Sequence, residues 1–166
     1  IIDLQVFPDG DRLVTLGIGG RAVIWDIGSG EALRLLSTDA LARHTHVRVA
    51  GEDAVVTGVS LAPEDPAIIW NITAAAPAHR ISQPHGWIRL LEASCSSQIV
   101  FTSGWDESVF VWSAESGHLE RVLTAPSMIT SVRVIGHGSG VVGSTVDRVG
   151  VWDRTGKVRG DVYVGT

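Results

Sequence analysis

Short runs of alternating apolar and polar residues fill the chain, and turn residues break them every few positions. Ile1-Ile2-Asp3-Leu4-Gln5-Val6-Phe7 is the first such run; Pro8-Asp9-Gly10 stops it and Leu13-Val14-Thr15 begins another. A period of two reads as a strand with one buried face, and Pro-Asp-Gly supplies the fixed and positive φ angles of a tight turn. One run recurs in nearly constant form. From Thr102 through Ser103-Gly104-Trp105-Asp106-Glu107-Ser108 to Val109-Phe110-Val111-Trp112 the chain reads as a strand end, a polar turn and a second strand closing on a large aromatic. The same closure returns in Ala22-Val23-Ile24-Trp25, Ala67-Ile68-Ile69-Trp70 and Val149-Gly150-Val151-Trp152, so that four tryptophans follow one another at spacings of 45, 42 and 40 residues.

A repeat of about 40 to 45 residues with four strands in each unit is the mark of a β-propeller. The fold class expected is therefore all-β, with four four-stranded antiparallel blades spanning about 1–38, 44–81, 86–123 and 128–164 of one domain, either a partial ring or half of an eight-bladed one. In the first blade the strands are expected at Ile2–Phe7, Arg12–Gly17, Ala22–Trp25 and Leu33–Leu36, followed by a bridge in which Leu41 tucks onto the blade edge. The second takes His46–Ala50, Ala54–Val59, Ala67–Trp70 and Ala78–Ile81, with Thr73-Ala74-Ala75-Ala76-Pro77 as a loop. The third takes Trp87–Leu91, Gln98–Thr102, Ser108–Trp112 and Leu119–Leu123; the fourth takes Ile129–Ile135, Val141–Gly143, Val149–Trp152 and Val158–Val164.

Trp25-Asp26 and Trp152-Asp153, with Phe7-Pro8-Asp9-Gly10 ahead of Leu13-Val14-Thr15, resemble the repeats of WD-repeat β-propellers, and the resemblance covers essentially the whole chain. At the other two positions the dipeptide becomes Trp70-Asn71 and Trp112-Ser113. The family implies a polar network in each blade, in which a Trp bonds a Ser or Thr, that residue a His, and the His an Asp. On this pattern Trp25, Trp70, Trp112 and Trp152 are structural, and the third repeat comes nearest to the full set with Thr102, Asp106 and Trp112, His85 standing closest to the histidine place. The first repeat has Gly19 where the Asp belongs, the second has Pro63-Glu64-Asp65-Pro66, and the fourth has Asp147 one residue nearer its Trp. Most blades are thus expected to lack the network and to rely on packing. Burying a Trp contributes on the order of 4 to 6 kcal/mol as an upper value, against about 1 kcal/mol net for a neutral hydrogen bond.

Composition narrows the function. With 45% hydrophobic and 19% charged residues the chain is globular, and a net charge of −5 with no Lys or Arg block longer than a pair argues against a phosphate-tracking surface. No membrane span or signal peptide is visible, and the expected location is cytoplasmic. The one cysteine, Cys95, falls in a hairpin turn and reads as a bland thiol. His44 and His46 alternate onto one face, yet no third ligand follows at a metal-site spacing, so no metal and no cofactor is expected. The glycine-rich 136–140 stretch lacks the Lys-Ser/Thr ending and following helix of a phosphate loop and reads as a hairpin turn. Abundant Ala, Val, Gly and Arg beside scarce Lys fits a high-GC bacterial gene.

The first residue is Ile1, inside a run that already alternates, so an excerpt from a longer chain is expected. Four blades leave the outward faces of the first and last units in need of cover, either by further blades or by a second copy closing an eight-bladed ring; a closed four-bladed ring ranks third. The function expected is a non-catalytic scaffold that binds peptides or protein domains through its loops, as a sensor or docking part of a signalling protein. A structural or engineered piece that self-assembles without ligand is the alternative. A propeller hydrolase ranks below both, since it needs facing carboxylates and the inner strands offer only Asp3. The partner-binding candidates share one face: Arg21, Arg43, Trp87, Trp105, Glu107 and Arg148.

Overall fold

The computed structural model describes residues 1–19, 21–37, 43–59, 62, 65–84, 86–125, 127–136, 139–153 and 155–164, and among them stand sixteen strands. Blade 1 holds β1 (Asp3–Val6), β2 (Arg12–Gly17), β3 (Arg21–Asp26) and β4 (Ala32–Ser37); blade 2 holds β5 (His46–Val49), β6 (Ala54–Gly58), β7 (Ala67–Asn71) and β8 (Ala76–Ile81). Blade 3 holds β9 (Leu90–Ser94), β10 (Ile99–Ser103), β11 (Ser108–Ser113) and β12 (Leu119–Thr124); blade 4 holds β13 (Ser131–Ile135), β14 (Gly140–Ser144), β15 (Arg148–Asp153) and β16 (Val158–Tyr163). Each blade is one antiparallel sheet with its strands paired in chain order. No helix of the described residues is long and apolar enough to cross a membrane.

The recurrent tryptophan marks a recurrent irregularity. Pairing between the third and fourth strands slips at Ile24/Trp25, Ile69/Trp70, Val111/Trp112 and Val151/Trp152, so each outer strand carries one extra residue opposite its tryptophan. Such a bulge increases local twist and bends the edge strand, and here it does so at the same place in all four sheets.

Most strand ends shift by one to three residues from the expected ones, and two of the shifts matter for the surfaces described below. The inner strand of blade 3 starts at Leu90, because the preceding chain closes first on a Gln83–Gly86 bridge and Arg89 N–H then donates to Ser103 C=O at 2.8 Å. Trp87 therefore lies ahead of the strand. The fourth strand of blade 2 starts at Ala76, so Pro77 belongs to the strand and not to a loop. It pairs with Trp70 at the bulge on an outer edge, where a missing N–H disturbs the ladder least. Leu41, Pro63, Glu64 and His85 lie outside the described residues.

The core is divided among the three junctions between blades. Phe7, Val14, Leu16 and Ile24 of blade 1 pack on Val47, Val55, Ile68 and Trp70 of blade 2. Val56, Ile69 and Ile81 of blade 2 pack on Leu91, Val100, Phe110 and Trp112 of blade 3, and Phe101, Val109 and Val111 of blade 3 on Val132, Val141 and Trp152 of blade 4. Alternation along each strand makes this possible: one face of a blade carries its tryptophan, the other carries branched aliphatics, and every junction joins the aliphatic face of one blade to the tryptophan face of the next. Inner strands follow the same order, β1 against β5, β5 against β9 and β9 against β13, and among the described residues no packing of like extent joins β13 back to β1. The four blades form an open arc.

Candidate partner-binding face

In an antiparallel blade the turn between second and third strands lies at the same end as the connection leading to the next inner strand. This rule brings the six residues singled out in the sequence to one rim. Arg21 and Arg148 open β3 and β15, Trp105 and Glu107 lie in the β10–β11 turn, Arg43 precedes β5 and Trp87 precedes β9. The opposite rim carries the first turns of the blades, where Pro8, Glu52, Ser94, Cys95, Ser96 and Gln98 line a cleft of about 720 Å³. The Cys95 thiol there is pushed up by burial and by the nearby Glu52 and Asp9 carboxylates, against the opposing pull of Arg12, and is thus poorly suited to nucleophilic work.

Beneath the first rim lie hydrogen-bonded chains that hold the turns. In blade 2 the indole N–H of Trp70 donates to Thr57 Oγ1 at 3.0 Å, and the two ring nitrogens of His44 lie 3.0 Å from Thr57 Oγ1 and 3.0 Å from the carbonyl of Pro66. A carbonyl can only accept, so His44 Nε2 carries the proton and Nδ1 takes the threonine hydroxyl. Burial lowers the pKa of His44, as the neutral imidazole of this chain requires. The second repeat, which departs most from the family pattern in sequence, therefore holds a Trp–Thr–His chain, with the Pro66 carbonyl at the end where the family has an Asp. Asp65 beside it instead takes a two-pronged ion pair from Arg43.

Blade 3 builds a parallel chain from a different residue. Trp112 Nε1 donates to Thr102 Oγ1 at 2.9 Å. With its amide oriented to suit its neighbours, Gln83 accepts from the Thr102 hydroxyl at 2.7 Å and from Ser103 N–H at 3.1 Å, and donates to the Trp87 carbonyl at 3.2 Å. Asp106 accepts the Ser108 N–H at 3.2 Å and shapes its own turn. Among the described residues blade 1 keeps the bond from Trp25 to Thr15, at 2.9 Å. In blade 4 the corresponding place is Gly143, and the ring of Trp152 fills the space that a side chain would occupy there and at Gly150.

Above these chains Trp105 projects from the β10–β11 turn with 61% of its surface exposed. Its ring lies over the guanidinium of Arg89, 4.8 Å from the ring centroid, and Arg89 is tied in turn to the carbonyl of Ile129 in the approach to blade 4. A large aromatic is thus exposed yet fixed by a cation on one side. Trp87 is partly exposed, and its backbone is anchored by Gln83. Arg89 is a rim residue that the sequence reading missed: its place two residues after Trp87 puts it inside the strand expected at Trp87–Leu91, which hides its role. The other candidates differ in setting. Arg21 and Glu107 are exposed, and Arg43 is engaged with Asp65. Arg148 is engaged with the outer strand of its own blade, 3.0 Å from Asp161 and 5.7 Å from the Tyr163 ring.

The inner strands carry a second constellation. Asp3 on β1, Arg48 on β5, Glu92 on β9 and Arg133 on β13 form a continuous row in which Arg48 reaches Asp3 at 2.7 Å and Glu92 at 2.8 Å, while Arg133 reaches Glu92 at 3.1 Å. Asp3 is therefore not the only carboxylate on an inner strand. Alternation directs Glu92 to the same lining, where a polar residue amid Leu90, Leu91 and Ala93 reads in sequence as a solvent position. Both carboxylates are bound by the same arginine. Among the described residues no group of three or more His, Cys, Asp or Glu side chains is placed to hold a metal ion.

No protein-family model and no curated protein matches the chain. Among solved structures it is similar to the C-terminal WD40 domain of Sif2, with 17% sequence identity and a TM-score of 0.72 over 99% of this chain. The chain spans about half the length of that structure, 46% of it. The likeness shows a WD40-type β-propeller fold.

Proposed function

We propose that this chain is a non-catalytic interaction scaffold which binds a peptide or a protein domain through the rim bearing Trp105, Trp87, Arg21, Arg43 and Glu107, as the docking part of a larger signalling protein. The observation that carries the reading is the exposed Trp105 ring held over Arg89. An aromatic fixed before binding loses little freedom on contact, which is the property of an interface anchor. Arg148 belongs at the margin of this surface, since it is already engaged with β16. Hydrolysis receives no support from the inner strands, where Arg48 occupies the space between Asp3 and Glu92.

Selection from a random peptide library displayed on phage tests the reading. Peptides enriched on the wild-type chain are expected to bind Trp105→Ala at least tenfold more weakly, and the variant is expected to unfold within about 0.5 kcal/mol of the wild type, as exposed substitutions do. Trp112→Ala, by contrast, removes a buried ring and is expected to cost about 3 to 5 kcal/mol. Enriched peptides that bind Trp105→Ala as well as wild type, or no enrichment at all, would overturn the assignment.

A further inference from the structure

We infer that the group which docks beside Trp105 is a carboxylate, an Asp or Glu side chain of the partner, and that Arg89 receives it. The inference rests on the rim reading above and names the chemistry of its anchor. Arg12, Arg43, Arg48, Arg133, Arg148 and Arg159 each hold a carboxylate in an ion pair. Arg89 reaches none among the described residues, although it is partly buried. Its Nη2 donates to the Ile129 carbonyl, its face is covered by the Trp105 ring, and its Nε is buried without an acceptor. A carbonyl and an indole hold a guanidinium in place but do not neutralise it, and a cation drawn out of water without a counter-charge is costly.

A second donor stands at the same end of the same junction. Ser103 is fully buried, and its hydroxyl has no hydrogen-bond partner. It follows Phe101 on one face of β10, the face packed on Ile129, and its carbonyl accepts the Arg89 N–H at 2.8 Å. Buried donors in folded proteins nearly always have an acceptor, and two without one at a single place, one of them charged, call for an anionic acceptor with two oxygens. A phosphate has such oxygens as well, but it brings more charge. Asp106 and Glu107 adjoin Trp105 in the β10–β11 turn and stop short of Arg89, and their charges oppose a dianion more strongly than a single carboxylate. Because Arg89 stays partly exposed, an acidic side chain can be offered alongside the indole without displacing it. Trp105 then forms the apolar wall of the contact and Arg89 its charged floor.

Peptides selected on the wild-type chain and dependent on Trp105 supply the probe, each synthesised with its acidic residue intact, as the matching amide and with phosphoserine in that place. These peptides are expected to share one Asp or Glu position. The amide form is expected to bind the wild type about tenfold more weakly than the acid, and the phosphoserine form more weakly than the acid as well. On Arg89→Gln the acid and amide forms are expected to bind within about twofold of each other, while Arg89→Lys, which keeps the charge and loses the planar fork, retains part of the preference. Ser103→Ala is expected to leave the urea midpoint in place, since the hydroxyl has no bond to lose, and to weaken the acid form. Circular dichroism checks each variant, and if Arg89→Gln does not fold, the comparison rests on Arg89→Lys and Ser103→Ala. Trp105-dependent peptides with no acidic position, or acid and amide forms that bind the wild type equally, would overturn the carboxylate and leave the rim reading standing. A phosphoserine form that binds more tightly than the acid would overturn the choice of anion, and an acid preference that survives Arg89→Gln would overturn the assignment of Arg89. Failure to recover any Trp105-dependent peptide would overturn the rim reading and this inference with it.

Discussion

Gln83 stands to Thr102 as His44 stands to Thr57: each accepts a hydrogen bond from a threonine hydroxyl that itself accepts one from the indole N–H of the blade's tryptophan, and each donates one to a backbone carbonyl. An amide has the same pair of functions as a neutral imidazole, one acceptor and one donor, so the exchange preserves every bond in the chain. What it removes is the ionisation, for the amide does not titrate.

Truncating the amide tests how much that chain contributes. Gln83→Ala leaves the Thr102 hydroxyl and the Ser103 N–H without their acceptor in a buried site, and the cost of orphaned buried groups is about 1 to 3 kcal/mol. Urea unfolding is expected to show a loss in that range. A loss below about 0.5 kcal/mol, the range of ordinary surface changes, would mean that Thr102 is satisfied without Gln83.

Acid is expected to weaken the fold through His44 and His46 of blade 2. The pKa of His44 is lowered by burial first, with Arg43 adding to the effect and the Pro66 carbonyl and Asp65 opposing it. That of His46 is lowered by burial and by Arg48, against Asp3 and Glu92. A base whose folded pKa lies below its unfolded value of about 6.5 binds fewer protons when folded. Its stabilisation is complete above that pH and is lost as pH falls from there toward the folded pKa, at up to about 1.4 kcal/mol per pH unit for each histidine. The urea midpoint is expected to be level from pH 8 to 7 and to decline between pH 6.5 and 5, with a shallower decline in His46→Gln. A flat profile through that window would contradict the burial of these rings.

Glycines in blade 4 separate by what surrounds them. A methyl group at Gly150 would lie 2.6 Å from the ring of Trp152, which is buried and already close against Gly143 on its other side, whereas one at Gly160 would meet nothing within 4 Å. Gly150→Ala is expected to destabilise by about 1 to 3 kcal/mol through overpacking. Gly160→Ala is expected to be neutral or to stabilise by up to about 1 kcal/mol by restricting the unfolded chain. Thermal unfolding of the two variants side by side decides it, and similar midpoints would remove the proposed exchange of side-chain volume between Gly143, Gly150 and Trp152.

The third strands were the most legible part of the chain, because Trp25, Trp70, Trp112 and Trp152 fix both the period and the last residues of the apolar runs. Alternation alone was less reliable where both of its phases contain apolar residues. In the Trp87–Leu91 stretch, Trp87, Ile88, Leu90 and Leu91 allow either phase, and the bridge between Gln83 and Gly86 decides where pairing starts. The hydrogen-bonded chains were partly hidden for a different reason. His44 precedes Thr57 by 13 residues, but Gln83 precedes Thr102 by 19, since the approach to β9 is longer, and a search by residue type and spacing passes over it. Pro77 misled through a rule that holds for central strands and not for the outer one it occupies. On the rim, the tryptophans could be found from their place outside the period, whereas the side chain that fixes Trp105 comes from a separate strand approach and is visible only in three dimensions.

The row formed by Asp3, Arg48, Glu92 and Arg133 sums to zero charge, so the acidity of the chain resides elsewhere. Removing Arg48 would take the cation from Asp3 and leave Glu92 to Arg133, and removing Glu92 would leave two guanidiniums facing one another; either is costlier than exchanging a solvated charge. Innovation at these four positions is therefore constrained to travel in steps of two. A descendant of this chain can rewrite its rim one residue at a time, but it can alter its central lining only by compensated substitutions, with each loss of a cation matched by the loss of an anion in the adjoining blade.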